Sequence, residues 1–286
     1  MNLGGHVFQV AKYRRVHDLL LFSGILNPDQ VLEPEPATIE DAVRVHTREY
    51  VQDLLGYRHT ARTYTSEIPL NKEVVDAYFL AAGGTLLACE KALDEGGAIN
   101  PAGGFHHAFP DHAEGFCYLN DIAMGIRRLL DLGRIERAAV IDCDLHQGNG
   151  TAAIFGRDKR VFTFSIHQEN LYPIKQQSKW DIGLDDFTGD ILYLEKLSEA
   201  VSKILDRHSP EIVLYQAGVD TYEMDQLGSL KLTRRGLKAR DELVVGECRS
   251  RSIPIVGLLG GGYALNPDDT VELHAETCRV FFRLLR

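Results

Sequence analysis

The chain has 286 residues, of which 44% are hydrophobic and 25% charged, and its formal net charge is -10. Such a length and balance suit one large α/β domain with a sizeable core, and no apolar run reaches the roughly 18–20 residues that span a bilayer. The acidic balance argues against nucleic acid as a partner, because tight non-specific binding needs clustered Lys and Arg; it favours basic ligands at long range.

Residues 1–6 lack the basic and apolar regions of a signal peptide, so a cytoplasmic location without membrane contact is expected. The cysteines Cys89, Cys117, Cys143, Cys248 and Cys278 are odd in number and form no C-x-x-C. They read as small buried apolar residues rather than disulfide partners or zinc ligands. No repeat, low-complexity tract or long linker divides the sequence, so residues 1–286 read as one domain.

In chain order, Thr38-Ile39-Glu40-Asp41 has the pattern of a capping box opening a helix towards Leu55. Helical spacing follows over 72–93 and 120–132. Residues 138–141 and 161–165 are short apolar runs of the kind found in strands covered on both faces. Ile191, Leu194, Leu197, Val201, Ile204 and Leu205 again keep helical spacing. Strand-like runs recur at 211–216 and 253–259. Between them Thr233 caps a helix running to about Cys248, and Asp268 opens a last helix carrying Val271, Cys278 and Phe282. The alternation predicts an α/β fold, a mostly parallel sheet with helices on both faces. Ligands of such sheets sit beyond the carboxyl ends of the strands.

Polar clusters stand at those ends. The run 138–141 leads into Asp142-Cys143-Asp144-Leu145-His146. If the strand stays extended, Asp142, Asp144 and His146 share a face. Two carboxylates and an imidazole on an apolar strand are costly to bury without a cation. One more carboxylate, Asp225, would complete a three-ligand metal site that keeps a position open. A capping and turn cluster after a strand explains the same residues equally well. His106-His107 follows two glycines that permit a loop on which both rings converge, and histidine is the natural acid/base near neutral pH; a surface or core pair is the plainer reading. Gly260-Gly261-Gly262-Tyr263 places a phenol at a strand end, where it could donate to an oxyanion, although three glycines usually mark only a turn. Together these parts suit metal-assisted amide hydrolysis.

The chain resembles the histone deacetylase superfamily, with its arginase/deacetylase-like fold, over nearly its whole length. The resemblance is carried by Gly103-Gly104-Phe105-His106-His107-Ala108, by Glu114-Gly115-Phe116-Cys117-Tyr118-Leu119-Asn120-Asp121, by DCDLHQGNGT from Asp142 to Thr151, by Phe164-Ser165-Ile166-His167, by Gln216-Ala217-Gly218-Val219-Asp220 with Asp225 following, and by Gly260-Gly261-Gly262-Tyr263. The short loops and Lys12-Tyr13-Arg14 ahead of a helix look most like the class IV and small bacterial branch.

The resemblance implies one zinc ion per chain, held by Asp144, His146 and Asp225, with iron(II) as an alternative occupant in the cell. It implies His107 as general base and acid, His106 as its electrostatic partner, Asp142 as hydrogen-bond partner of His106, and Tyr263 as the donor to the acyl carbonyl. Gly115, Phe116 and Tyr172 would wall a tunnel for a lysine stem, with Leu232 at its mouth. Asp142, Asp144, His146, Ser165 and Ile166 would hold a structural potassium ion. Asn149 stands where many members have an Asp behind the general base, and it biases His107 less towards imidazolium than Asp would. The implied substrate is an acyl-lysine protein or peptide, or another acylated amine such as a polyamine. Two rivals are a binuclear hydrolase of the arginase type, which needs further carboxylates, and a binding module without turnover.

Overall fold

The structure, a computed structural model, describes residues 3–285. β1 (Gly97–Asn100), β2 (Ala138–Asp142), β3 (Val161–Gln168), β4 (Trp180–Leu184), β5 (Ile212–Gln216) and β6 (Ile255–Leu258) form one sheet in the order β1-β6-β5-β2-β3-β4. Every pairing is parallel. The chain builds outward from β2 to β3 and β4, then returns to place β5 on the other side of β2. The switch in direction falls between β2 and β5, where a ligand crevice is expected.

Helices cover both faces. They are α1 (Ala11–Phe22), α2 (Ile39–Ala42), α3 (Arg48–Leu55), α4 (Lys72–Glu95), α5 (Asp121–Asp131), α6 (Asn149–Phe155), α7 (Asp190–His208), α8 (Arg234–Ser250) and α9 (Pro267–Leu285). Strand alternation divides the core. Val140 and Leu214 face one layer, with Leu86 of α4 and Ile122 of α5. Ile141, Val213 and Tyr215 face the other, with Leu197 and Val201 of α7 and Val244 of α8. Because both faces are covered, β2, β5 and β6 are buried at every residue, and their sequences are continuous apolar runs rather than alternating ones. No helix among the described residues is long and apolar enough to cross a membrane.

The helix expected from residue 39 towards Leu55 is two helices. The Thr38 capping box forms, with Thr38 Oγ1 accepting from Asp41 N. A second cap then interrupts the run: Thr47 accepts from Tyr50 N, and its own N–H donates to Pro110 O at 2.7 Å. A tertiary bond at Thr47 thus takes the donor that a continuous helix would use. Two elements carry little sequence signal. β4 lies at the sheet edge and is only partly buried. α6 is seven residues long and begins at Asn149.

One buried histidine fixes the approach to the strand ends. His46 Nδ1 donates to Phe109 O at 2.8 Å, and its Nε2 accepts from Asn120 N at 3.0 Å. Asn120 caps α5 and donates through Nδ2 to His106 O and Ala108 O. His46 cannot take a second proton without opposing the Asn120 N–H, and burial lowers its pKa to about 4. An unfolded histidine titrates near 6.5, so between those values the unfolded chain holds the extra proton. The contribution of His46 is therefore complete above about pH 6.5 and lost as the pH falls towards 4. Metal-free protein should lose about 2 kcal/mol from this group between pH 7 and pH 5. Urea unfolding at both pH values should show that loss for the wild type and a smaller one for His46→Gln; equal losses would show that His46 does not carry it.

Candidate functional site

The site lies where β2, β5 and β6 end. Strand β2 stops at Asp142, so Asp144 and His146 are not aligned by strand alternation. They converge through a ladder of side chain to backbone bonds. Asp142 Oδ1 accepts from Asp144 N at 3.1 Å, and Asp144 Oδ1 accepts from His146 N at 3.0 Å. This is the turn chemistry of aspartate, used here to turn successive side chains into one corner. Both readings of the segment hold in part: its bonding is a turn cluster, and its donor atoms gather as a ligand set does.

The carboxylate that gathers with Asp144 and His146 in this corner is Asp220. Donor atoms of Asp144, His146 and Asp220 all lie within 4.8 Å of one another, and the three residues are buried. His146 Nδ1 is 3.3 Å from both Asp144 Oδ1 and Asp220 Oδ2. Asp225 instead binds backbone: its Oδ2 accepts from Tyr263 N at 2.7 Å and its Oδ1 from Leu227 N at 2.9 Å. It therefore anchors the Tyr263 backbone. Asp220 comes four residues after β5, and Asp225, in the following loop, lies close enough that burial and then the Asp220 charge raise its pKa to about 7.

Charge in this corner is confined. Burial, and then the neighbouring Asp144, push Asp220 up to about 6. Burial would raise Asp144 as well, but His106 and His146 beside it hold it well below the carboxylate range. Asp220 Oδ1 accepts from Leu145 N at 2.9 Å, while its buried Oδ2 has no hydrogen-bond donor. A Cβ at Gly261 would lie 2.2 Å from Asp220 Oδ2 and 2.7 Å from Asp144 Oδ2, and one at Gly218 would lie 2.2 Å from Asp144 Oδ2. Only glycine leaves these oxygens uncovered. Two carboxylates, an imidazole, an orphan buried oxygen and a glycine cradle fit a zinc-sized dication.

The histidine pair stands beside the corner. The loop ahead of it is pinned by buried Asp121, whose carboxylate accepts from Gly104 N and from Phe105 N. Gln216 Nε2 donates to Gly104 O at 2.7 Å. His106 Nδ1 donates to Asp142 Oδ2 at 2.8 Å, and its Nε2 lies 3.1 Å from His107 Nε2. His107 Nδ1 is 2.7 Å from Asn149 Oδ1. The neighbours of the two rings drive them apart. Burial opposes charge on His106, but Asp142 and Asp144 lift its pKa to about 9. Burial, then His106 and His146, hold His107 well below the usual histidine range. One ring is thus positive and the other neutral, and they touch.

Above this floor opens a cavity of about 250 Å³. Its walls include Phe8, Phe116, Tyr172, Leu171, Leu227 and Tyr263. Phe116 has a left-handed backbone, φ 63°, directly after Gly115 at φ 51°; the turn projects the Phe116 ring into the wall, at a local cost in strain. Gly115, Phe116 and Tyr172 line the cavity. Leu232 does not. It is fully buried in the core beneath, and its N–H donates to Thr221 O. Leu227, two residues after Asp225, takes the wall position. Ser165 pairs in register with Asp142 across β2 and β3, and its Oγ lies 2.9 Å from His167 Nδ1.

Two buried cations brace the site, and composition gave no sign of either. Lys12 Nζ donates to Gly260 O at 2.7 Å and lies 5.5 Å from the Tyr263 ring centroid; burial lowers its pKa to about 8, against the pull of Asp220, Asp144 and Asp225. Arg240 of α8 is fully buried. It donates to Cys143 O, Ala217 O and Gly218 O, which ties the chain after β2 to the chain after β5.

Comparison with known proteins agrees with this architecture. The family model for the histone deacetylase domain matches residues 6–278. An uncharacterized protein of Picosynechococcus is 40% identical over 94% of this chain and 91% of its own length. A protein of Arabidopsis thaliana named histone deacetylase 2 is 34% identical over 90% of this chain and 70% of its own. A protein of Archaeoglobus fulgidus named "Probable deacetylase" is 33% identical over 87% and 74%. Among solved structures, an HDAC homolog complexed with SAHA superposes with a TM-score of 0.82 at 26% identity, covering 98% of this chain and 79% of that one. An HDAC homolog from Aquifex aeolicus gives 0.82 at 25% identity, over 99% and 79%.

Proposed function

We propose that this chain, which belongs to the histone deacetylase family, is a zinc-dependent amidohydrolase that removes an acetyl or longer acyl group from the ε-amine of lysine or from a related amine. Family membership supports amide deacetylation in general. The observation that carries the finer reading is the pairing of a neutral His107 with a positive His106 beside the Asp144, His146 and Asp220 corner, at the floor of an apolar cavity.

Asp144, His146 and Asp220 would hold the zinc. A bound zinc ion supplies Lewis acidity for the acyl carbonyl and makes water acidic enough to react near neutral pH. His107, neutral and facing the floor, takes the proton of the attacking water and returns it to the departing amine. His106, kept positive by Asp142, stabilises the negative charge that develops beside it. The Tyr263 hydroxyl donates to the same developing oxyanion, and Asp225 holds its backbone for that purpose. Phe116, Tyr172 and Leu227 exclude water from an apolar stem. Leu227 at the wall favours a lysine stem or acyl chain over a second ammonium group, and exposed Glu67 on the cavity lining favours basic surroundings for the acyl-lysine. A structural potassium ion near Asp142, Asp144, His146, Ser165 and Ile166 belongs to the same reading; it is supported by the register that sets Ser165 beside Asp142. A binuclear site is disfavoured, because among the described residues Asp144, His146 and Asp220 form the one such ligand group.

The direct test is a panel of lysine peptides and polyamines carrying acyl groups of different length. Hydrolysis of at least one acyl-lysine peptide, lost on chelation and restored by zinc, is expected; turnover of polyamines alone would move the substrate to the other amine class. Metal content separates the two aspartates. Asp220→Ala should lose its zinc and its activity together. Asp225→Ala should keep near-stoichiometric zinc and lose turnover through a displaced Tyr263; the opposite pattern would restore Asp225 as the ligand. Loss of a general acid/base typically costs about 100- to 10,000-fold in rate. His107→Ala should therefore keep its zinc yet fall by that order in kcat, measured on zinc-replete protein.

A further inference from the structure

Asn149 cannot carry charge, yet it is the residue bonded to His107. An amide can bind an imidazole in either of two orientations, and these select opposite tautomers. What fixes the amide is Glu114. Its Oε1 lies 2.8 Å from Asn149 Nδ2. A carboxylate only accepts, so the amide must present its NH₂ to Glu114 and its oxygen to His107. Gly150 N donates to that same oxygen at 3.0 Å, in agreement. His107 must then donate through Nδ1, which leaves its Nε2 an acceptor, 3.1 Å from His106 Nε2. The Glu114 carboxylate, two residues away, and the His106 ring thus demand the same tautomer of His107.

The same Glu114 oxygen accepts from the Tyr172 hydroxyl at 3.0 Å. Burial, and then Glu114, raise the Tyr172 pKa, which keeps that hydroxyl a donor. The Tyr172 ring packs edge-on against His107 and His146, with centroids 5.5 and 6.0 Å away. Gly115 lies between: a Cβ there would come within 2.6 Å of His107 Cδ2 and 2.8 Å of Tyr172 Oη. Glu114 itself is held. Its backbone pairs with Cys117, and its side chain is 21% exposed, with Oε2 3.7 Å from His112 Nε2.

We propose that Glu114 is a positioning residue with two arms, one reaching through Asn149 to fix the tautomer of His107 and the other holding Tyr172 as the cavity wall. The inference rests on the deacylase reading for its kinetic consequences. It deepens that reading, because it makes one carboxylate set both the base and the shape of the acyl-lysine tunnel.

The arms are separable by substitution. On zinc-loaded enzyme and an acetyl-lysine peptide, Glu114→Ala should lower kcat by about 10- to 100-fold and also raise KM. Tyr172→Phe cuts only the wall arm and should raise KM a few-fold, on the order of one lost hydrogen bond, with kcat nearly unchanged. Asn149→Asp places an acceptor-only group directly on His107. In the Glu114→Ala background it should recover most of kcat while KM stays high. A general loss of structure would not be rescued in kcat alone. If Glu114→Ala folds poorly, Glu114→His supplies the same cycle, since its ring does not reproduce the acceptor-only carboxylate.

A readout independent of turnover is the ¹⁵N spectrum of the imidazoles in metal-free protein. His107 should be the Nδ1–H tautomer in the wild type, mixed in Glu114→Ala, and Nδ1–H again in Glu114→Ala/Asn149→Asp. Wild-type kcat in Glu114→Ala, a loss that Asn149→Asp does not recover, or an unchanged His107 tautomer would each overturn the proposal. If no acyl-lysine is hydrolysed by the wild type but the tautomer pattern holds, the deacylase reading fails and the positioning role stands.

Discussion

The gathering of carboxylate at the end of β2 and β5 is the constraint on which the surrounding structure depends. Asp142, Asp144 and Asp220 are all at most 2% exposed. Buried carboxylates this close repel one another and lose their hydration, and both costs grow in a low-dielectric interior. Every nearby device answers that problem. Backbone N–H groups of Asp144, Leu145, His146 and Gly261 donate to the carboxylates. Gly218 and Gly261 let the chain pass within contact distance. His106 is driven positive, and Lys12 and Arg240 stand behind. What the donors leave unsatisfied is Asp220 Oδ2, the oxygen that faces the same corner as His146 and Asp144. That oxygen is the one at which a cation would add a partner.

The same constraint explains how two adjacent histidines acquire opposite roles. Sequence neighbours with identical side chains differ here only in what each Nδ1 meets. His106 meets the carboxylate of Asp142, and His107 meets an amide. A carboxylate partner stabilises the imidazolium, while an amide does so weakly. The contact between the two Nε2 atoms, at 3.1 Å, then works in one direction: charge on His106 suppresses charge on His107. A neutral imidazole is thus kept so by a positive one placed against it.

Much of this was legible in the sequence, and the failures have a common cause. The buried strands announced themselves as apolar runs, and the helix caps at Thr38, Asn120 and Thr233 stand where side-chain chemistry puts them. The residue types of the site, two histidines, the DCDLH run and GGGY, were visible because their chemistry is unusual after an apolar strand. Choices between similar residues in one loop were not. Asp220 and Asp225 are both aspartates after β5, and only the chain path shows that Asp220 gathers with Asp144 and His146 while Asp225 binds the Tyr263 backbone. Leu227 and Leu232 pose the same problem: one lines the cavity and the other lies in the core. Alternation could not decide either pair, because β5 ends at Gln216 and the path beyond is set by tertiary bonds such as Leu145 N to Asp220 Oδ1. Arg240 gave no local signal and Lys12 only a motif without a role; each is an ordinary helix residue until the fold brings carbonyl oxygens to it.

This division has a consequence for how the site can vary. The corner is built on strand ends and locked by glycines that admit no side chain, so its geometry is rigid and its donor set is fixed by charge balance. The walls are different. Phe116, Tyr172 and Leu227 come from three loops, and Tyr172 is 44% exposed. Their positions depend on a few bonds, chiefly those of Glu114 and of Asp225. Changing a wall residue alters the shape of the cavity without touching the buried charges, whereas Glu114 bonds both to the wall at Tyr172 and to Asn149 beside His107. The cavity shape can therefore change through the loops while the buried corner keeps its charges, provided the carboxylate that joins the wall to His107 is kept.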